Sequence, residues 1–182
     1  MIDALQAQPT VLLELSLGKG DPADSQVQSF FNAYCRAFLA WQFVEAKLSG
    51  IFSRFVVGKP RPAMMASYHS VLSLETRLGM IDSAAQVHLK GEYLMEEWLD
   101  LHKKVSKRVA NRNNLVHFTV TTVASKNGVD YGLLSTVFDP LATAQLVDAV
   151  QLDGFRDDFI ELADALRKFE EKLVIRFAPV VT

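Results

Sequence analysis

One apolar stripe constrains this chain more than any other feature. Val27, Phe31, Tyr34, Phe38, Trp41, Glu45, Leu48, Phe52 and Phe55 follow one another at alternating steps of four and three. That spacing holds one face of a helix against a partner helix. A second row, Phe30, Ala37, Val44 and Ile51, broadens the face. The pattern predicts a helix over 23–57, with Asp24 as its N-cap, and a helix so long and apolar must be central. Glu45 interrupts the stripe with a carboxylate. A carboxylate left alone in a core is costly, so a partner is expected. Glu45 is therefore a residue at the edge of the core or one paired with a buried arginine, or else it orients Arg112.

The rest of the chain reads as further helices and one hairpin. Gly58-Lys59-Pro60-Arg61-Pro62 breaks the first helix. A second follows to about Leu78, with Met64, Met65, Tyr68, Val71, Leu72 and Leu78 facing inward and Gly79 closing it. Within it Glu75 and Arg77 read as ion-pair partners, and His69 as a surface or satisfied core residue. Asp82 is expected to cap a short helix through Leu89, stopped by Lys90-Gly91. The third main helix runs from about Glu92 past Arg112. Residues 118–138 alternate around Asn127-Gly128, which signals a β-hairpin. A short helix is expected over 142–150. The last helix, from near Asp153 to Arg176, carries Phe155, Phe159, Leu162, Leu166, Phe169 and Leu173 at steps of four and three. The fold class is therefore mostly α: an up-and-down bundle of four main helices with a β-hairpin inserted between the third and fourth. Residues 1–182 form a single domain. Residues 1–22 form an N-terminal arm, in which Val11–Leu15 is a short strand or packs on a neighbour.

Composition narrows the function classes. The net charge of −2 gives no global basic field, so any nucleic-acid contact must come from a local patch. The single cysteine, Cys35, excludes an intrachain disulfide and a multi-cysteine zinc site, and its helical position predicts a core residue. The four histidines are scattered without metal-ligand spacing, and no phosphate loop or dinucleotide fingerprint is present. No metal or cofactor is expected. No apolar run approaches the ~20 residues of a membrane span, and Met1-Ile2-Asp3 lacks a basic leader start. The expected location is the cytoplasm.

The chemistry concentrates in Asn111-Arg112-Asn113-Asn114-Leu115-Val116-His117, where helix turns to strand. Arginine is permanently charged and shaped to grip phosphate, and histidine moves protons near neutral pH. On a wheel of about 100° per residue, Leu94, Trp98, Leu101, Val105, Val109 and Val116 share one face. Lys103, Lys104, Lys107 and Arg108 flank it. Arg112 is expected at one edge of that stripe and His117 at the other, about 140° away. They converge only if the last turn unwinds or a second copy approaches. Asn113 and His117, four apart, share a face, so the amide can hold the imidazole. The basic run is either a solvated face that complements the helix dipole or, with Asn114, a phosphate-binding patch.

Arg112, Asn113 and His117, with four residues between Arg and His, resemble the signature of the HEPN superfamily (higher eukaryotes and prokaryotes nucleotide-binding domains). Phe118 departs from the small residue often found after the histidine. The resemblance implies a helical bundle, a homodimer and, in many members, a metal-independent endoribonuclease. It implies that Arg112 holds the phosphate, His117 shuttles the proton and Asn113 orients His117 or the backbone, with Lys104, Lys107, Arg108 and Asn114 binding RNA. It also implies a second class of function, an inactive nucleotide-binding or scaffold module. There Arg112 would pair with Glu45 or Glu75, and His117 would cap the helix. Some relatives are toxins held by an antitoxin-type protein partner.

Overall fold

The structure, a computed structural model, describes residues 22–56, 60–125, 128–134 and 146–178. Five helices and a two-stranded hairpin occupy them: α1 Pro22–Phe55, α2 Arg61–Ser70, α3 Leu74–His88, α4 Tyr93–His117, β1 Thr119–Ser125, β2 Gly128–Leu134 and α5 Ala149–Arg176. The fold is the expected helical bundle with a hairpin between its last two long helices. The expected N-terminal arm lies outside the described residues.

α1 opens on Pro22, where the missing N–H leaves no bond unmade, so Asp24 falls inside the helix rather than capping it. Both expected rows share its buried face. Phe30, Ala37, Val44 and Ile51 are buried, and so are Trp41, Leu48, Phe52 and Phe55 of the stripe, joined by Ala33, while Phe31, Tyr34 and Glu45 stay at the margin and Phe38 is exposed. The small alanines let α5 approach closely, and Trp41 meets Phe159 edge-on at 5.0 Å. Each such aromatic, fully buried, contributes about 1.5–3 kcal/mol of transfer free energy. Cys35, expected in the core, is exposed on the opposite face.

Cross-helix contacts give the directions. Arg36–Asp153 at 3.4 Å and Arg54–Glu170 at 2.9 Å make α5 parallel to α1. Arg108–Asp158 at 2.6 Å and Lys172–Glu97 at 2.7 Å make α4 antiparallel to α5. α2 turns back along α1, with Tyr68 stacked on Phe52 and His69 bonded to Ser49 at the surface. α3 then runs forward again, from Arg77 beside Glu45 to His88 stacked on Phe55. The order is up, down, up, down, up.

Three expected boundaries shift. The predicted second helix is two helices, broken at Val71-Leu72-Ser73. Val71 is extended, and the Ser73 side chain accepts the Thr76 N–H as an N-cap. Serine competes there with the helix ladder, while the apolar spacing across the break imitates continuity. Gly79 and Asp82 consequently lie inside α3, and neither closes nor opens a helix. The stop at Lys90-Gly91 stands, since Gly91 has φ +80. α5 begins at Ala149, earlier than Asp153, because Asp148 and Gln151 form a reciprocal capping box at 2.8 and 3.1 Å. Residues 146–148 are therefore not helical, and the remainder of the short helix expected over 142–150 lies outside the described residues up to 145.

In the hairpin Thr119 pairs with Leu134 and Ser125 with Gly128, antiparallel. Leu133 also exchanges both backbone bonds with Val147, at 2.8 and 2.9 Å. That bridge ties the sheet to the start of α5. Gly132 is required beside it, because a Cβ there would collide with the Leu146 side chain. The turn residues 126–127 and the expected strand end at 135–138 lie outside the described residues.

Candidate functional site: the C-terminal half of α4

α4 is helical without interruption through His117. Its buried face is Leu94, Trp98, Leu101 and Val105, and it ends on Leu115, which is 1% exposed. Val116, expected in that face, is 44% exposed. The steps of four and three between Val105 and Leu115 fall on Arg108 and Arg112. Both arginines thus replace apolar residues in the inward stripe, whereas Arg112 was expected at its edge.

The two arginines are satisfied differently. Arg108 Nη2 donates to Asp158 Oδ1 of α5 at 2.6 Å. Arg112 Nη1 donates to the neighbouring Asn113 Oδ1 at 3.2 Å, a neutral acceptor. Its Nε is buried and has no hydrogen-bond partner among the described residues. An arginine held by one amide keeps its full positive charge uncompensated, and a buried N–H without an acceptor costs about 1–3 kcal/mol. Arg112 is half-buried, while Asn113 is exposed.

The helix end is fixed by a residue that sequence reasoning did not single out. Tyr34 of α1 donates its hydroxyl to the Leu115 carbonyl at 2.9 Å. That carbonyl belongs to the last turn, whose acceptors lack helical donors. Nothing in the apolar stripe distinguished Tyr34 from its neighbours. The Phe118 N–H bonds the Asn114 carbonyl at 3.2 Å, and the backbone then extends into β1. His117 is exposed and five residues beyond Arg112. Because the last turn does not unwind, the two side chains leave one regular helix about 140° apart.

Lys104, Lys107 and Arg108 line a groove of about 230 Å³ between α4 and α5. Its other wall is Asp158 and Glu161, over Leu162 and Ala165. The expected basic patch therefore faces carboxylates that its sequence neighbourhood does not contain. Lys104 and Lys107 remain exposed. Asn114 is half-buried on the same helix.

Glu45 does not reach Arg112. Its Oε1 accepts from Trp41 Nε1 at 3.1 Å and from Arg77 Nη2 at 3.4 Å. The pairing of Arg112 with Glu45 is thereby corrected, and Arg77 takes Glu45 rather than the exposed Glu75. The carboxylate follows the other expectation, pairing with an arginine. Tyr68 lies beside the pair, with Arg77 6.0 Å from its ring centroid. Burial pushes the Tyr68 hydroxyl up to about 12; Arg77 opposes the shift and Glu45 adds to it. Among the described residues no three His, Cys, Asp or Glu side chains gather as a metal site, and no helix is long and apolar enough to cross a membrane.

No protein-family model matches the chain, and no curated protein and no solved structure matches it either.

Proposed function

We propose that this is a HEPN-like RNA-binding protein that cleaves RNA without a metal, at a site shared by two copies of the chain. The observation that carries the reading is Arg112. It occupies an inward position where an apolar residue would pack better, and it has no carboxylate partner among the described residues. A guanidinium kept in that state is suited to an anion brought from outside. RNA phosphate is the anion that the Arg112-Asn113…His117 resemblance implies.

The roles follow from chemistry. Arg112 binds the scissile phosphate and offsets the charge that develops on its oxygens. His117 takes the proton from the 2′-hydroxyl, whose oxygen bonds to phosphorus. The bond from phosphorus to the 5′-oxygen breaks, and a protonated imidazole returns a proton to that oxygen. The products are a 2′,3′-cyclic phosphate and a free 5′-hydroxyl. In this reading the histidine comes from a second copy, a placement supported by the ~140° between positions 112 and 117 on one helix, and the active form is a homodimer. Asn113 holds the guanidinium in place. Lys104 and Lys107 track the backbone on either side.

The test is RNA cleavage by purified protein in EDTA, wild type beside Arg112→Ala and His117→Ala. Each variant is expected to lose about 10²–10⁴-fold in rate with its helical content unchanged. Mixing the two inactive variants is expected to restore part of the activity, since a mixed dimer keeps one intact site. Failure of the wild type to cut varied RNAs would leave a second reading, a catalytically inactive nucleotide-binding or scaffold module. Arg108 favours that one, because its charge is already spent on Asp158.

A further inference from the structure

We propose that Phe38, stacked on Tyr34 at the Arg112 end of the bundle, is the subsite for an unpaired base of the strand whose phosphate Arg112 holds. The proposal rests on the reading of Arg112 as a phosphate-binding residue and does not require that the strand be cut. An aromatic residue in a helical stripe usually belongs to the core. Phe38 does not, since it is 37% exposed.

That exposure has a cause in the length of α3. Phe38, Glu45 and Phe52 recur every seven residues and share one strip of α1. Phe52 is buried against Tyr68 of α2, and Glu45 is paired with Arg77 of α3. α3 begins at Leu74 and runs parallel to α1. Its start lies only ~4.5 Å before Arg77, whereas Phe38 lies ~10 Å before Glu45. The cover that α3 gives the strip therefore stops short of Phe38. On α4 the strip facing α3 behaves alike: His102, 3.7 Å from Asp82, and Val109 are half-buried, and Val116 is 44% exposed.

Arg112 stands at the same level. The Tyr34 hydroxyl bond to the Leu115 carbonyl sets α1 against α4, and the two helices run antiparallel. Phe38 follows Tyr34 by ~6 Å along α1, and Arg112 precedes Leu115 by ~4.5 Å along α4. In antiparallel helices those two steps go the same way. The Tyr34 and Phe38 rings are 6.5 Å apart and within 18° of parallel. Tyr34 is held by its hydroxyl bond and backs Phe38, so a base laid on Phe38 extends a stack already begun. A cation for the phosphate and a ring for the base are the two contacts by which proteins hold single strands. A base inside a duplex is stacked on both faces already, so the ring takes one that is unpaired.

The experiment is fluorescence anisotropy on the full chain with two dye-labelled probes. One is a short 2′-deoxy oligonucleotide, which lacks the attacking hydroxyl and stays intact. The other is an abasic strand of the same length. Phe38→Leu is expected to weaken binding of the first at least about fivefold and to leave the second unchanged, with helical content preserved. Phe38→Trp should restore or tighten binding of the first. Arg112→Ala should weaken both. Wild-type affinity of Phe38→Leu for the base-bearing probe, with Arg112→Ala still weakened, would overturn the subsite and leave the phosphate reading standing. Equal weakening of both probes by Phe38→Leu would overturn it too, as the mark of a structural role. Failure of the wild type to bind either probe would remove the reading of Arg112 and the subsite with it.

Discussion

Arg77 and Arg112 make an instructive pair. Both are arginines on the inward side of a bundle helix, and each has a buried Nε without an acceptor among the described residues. Arg77 sits where α3 meets α1 and is given a carboxylate, Glu45 at 3.4 Å, itself held by Trp41 and flanked by the buried Tyr68. Arg112 sits toward the end of α4 and, among the described residues, is given only the amide of its sequence neighbour. The first is a closed polar network whose charges cancel within the fold. The second, counted over the described residues, leaves a net positive charge at the end of the bundle where helix turns to strand. Burial alone therefore does not mark a functional arginine; the charge left over after its partners are counted does.

The largest effect should come from treating the two alike. Arg77→Leu leaves the Glu45 carboxylate without its cation, and is expected to cost about 2–3 kcal/mol in urea denaturation. Arg112→Leu removes an unpaired charge from an apolar stripe and restores packing. It is expected to be neutral or to add up to about 1 kcal/mol, while abolishing RNA cleavage. Equal destabilisation by the two substitutions would break the comparison.

Tyr68 tests the closed network at high pH. Its folded pKa is raised to about 12, above the ordinary value of 10.0. The folded state thus holds the proton more tightly than the unfolded state does. The associated stability is fully present below pH 10 and is lost as pH rises toward 12, by roughly 2–3 kcal/mol in all. Thermal melts of wild type and Tyr68→Phe should diverge across that window, with only the wild type losing the increment. Parallel curves would mean that the hydroxyl is solvated.

The smallest effect belongs to the groove between α4 and α5. Lys104→Ala and Lys107→Ala should change stability by less than about 0.5 kcal/mol. If each lysine contacts RNA phosphate, each substitution should reduce the slope of log affinity against log salt by about 0.7. Slopes equal to wild type would confine RNA contact to Arg112.

Much of the fold was legible because its determinants are local and periodic. The stripes of α1 and α5 and the alternation around Asn127-Gly128 needed no partner to be read. The break at Val71–Ser73 was not legible, since Met65, Tyr68, Leu72 and Leu78 keep helical spacing across it. The early start of α5 could have been found: Asp148 and Gln151 carry capping-box spacing, but the apolar stripe drew the boundary to Asp153. At the candidate site, Arg112, Asn113 and His117 were identified by residue type. The inward setting of Arg112 was not, because Val116 and Leu115 are both apolar neighbours and a wheel cannot choose between them.

The sequence by itself determined the long helical segments, the hairpin, and where arginine, amide and histidine lie together, since these follow from spacing along one chain. Tertiary structure alone decided which charges cancel. Glu45 went to Arg77, Asp158 went to Arg108, and among the described residues no carboxylate reached Arg112. Those partners lie 32 and 50 residues apart in the chain. An ion pair depends on a few ångströms of separation that only the packing of one helix against another sets.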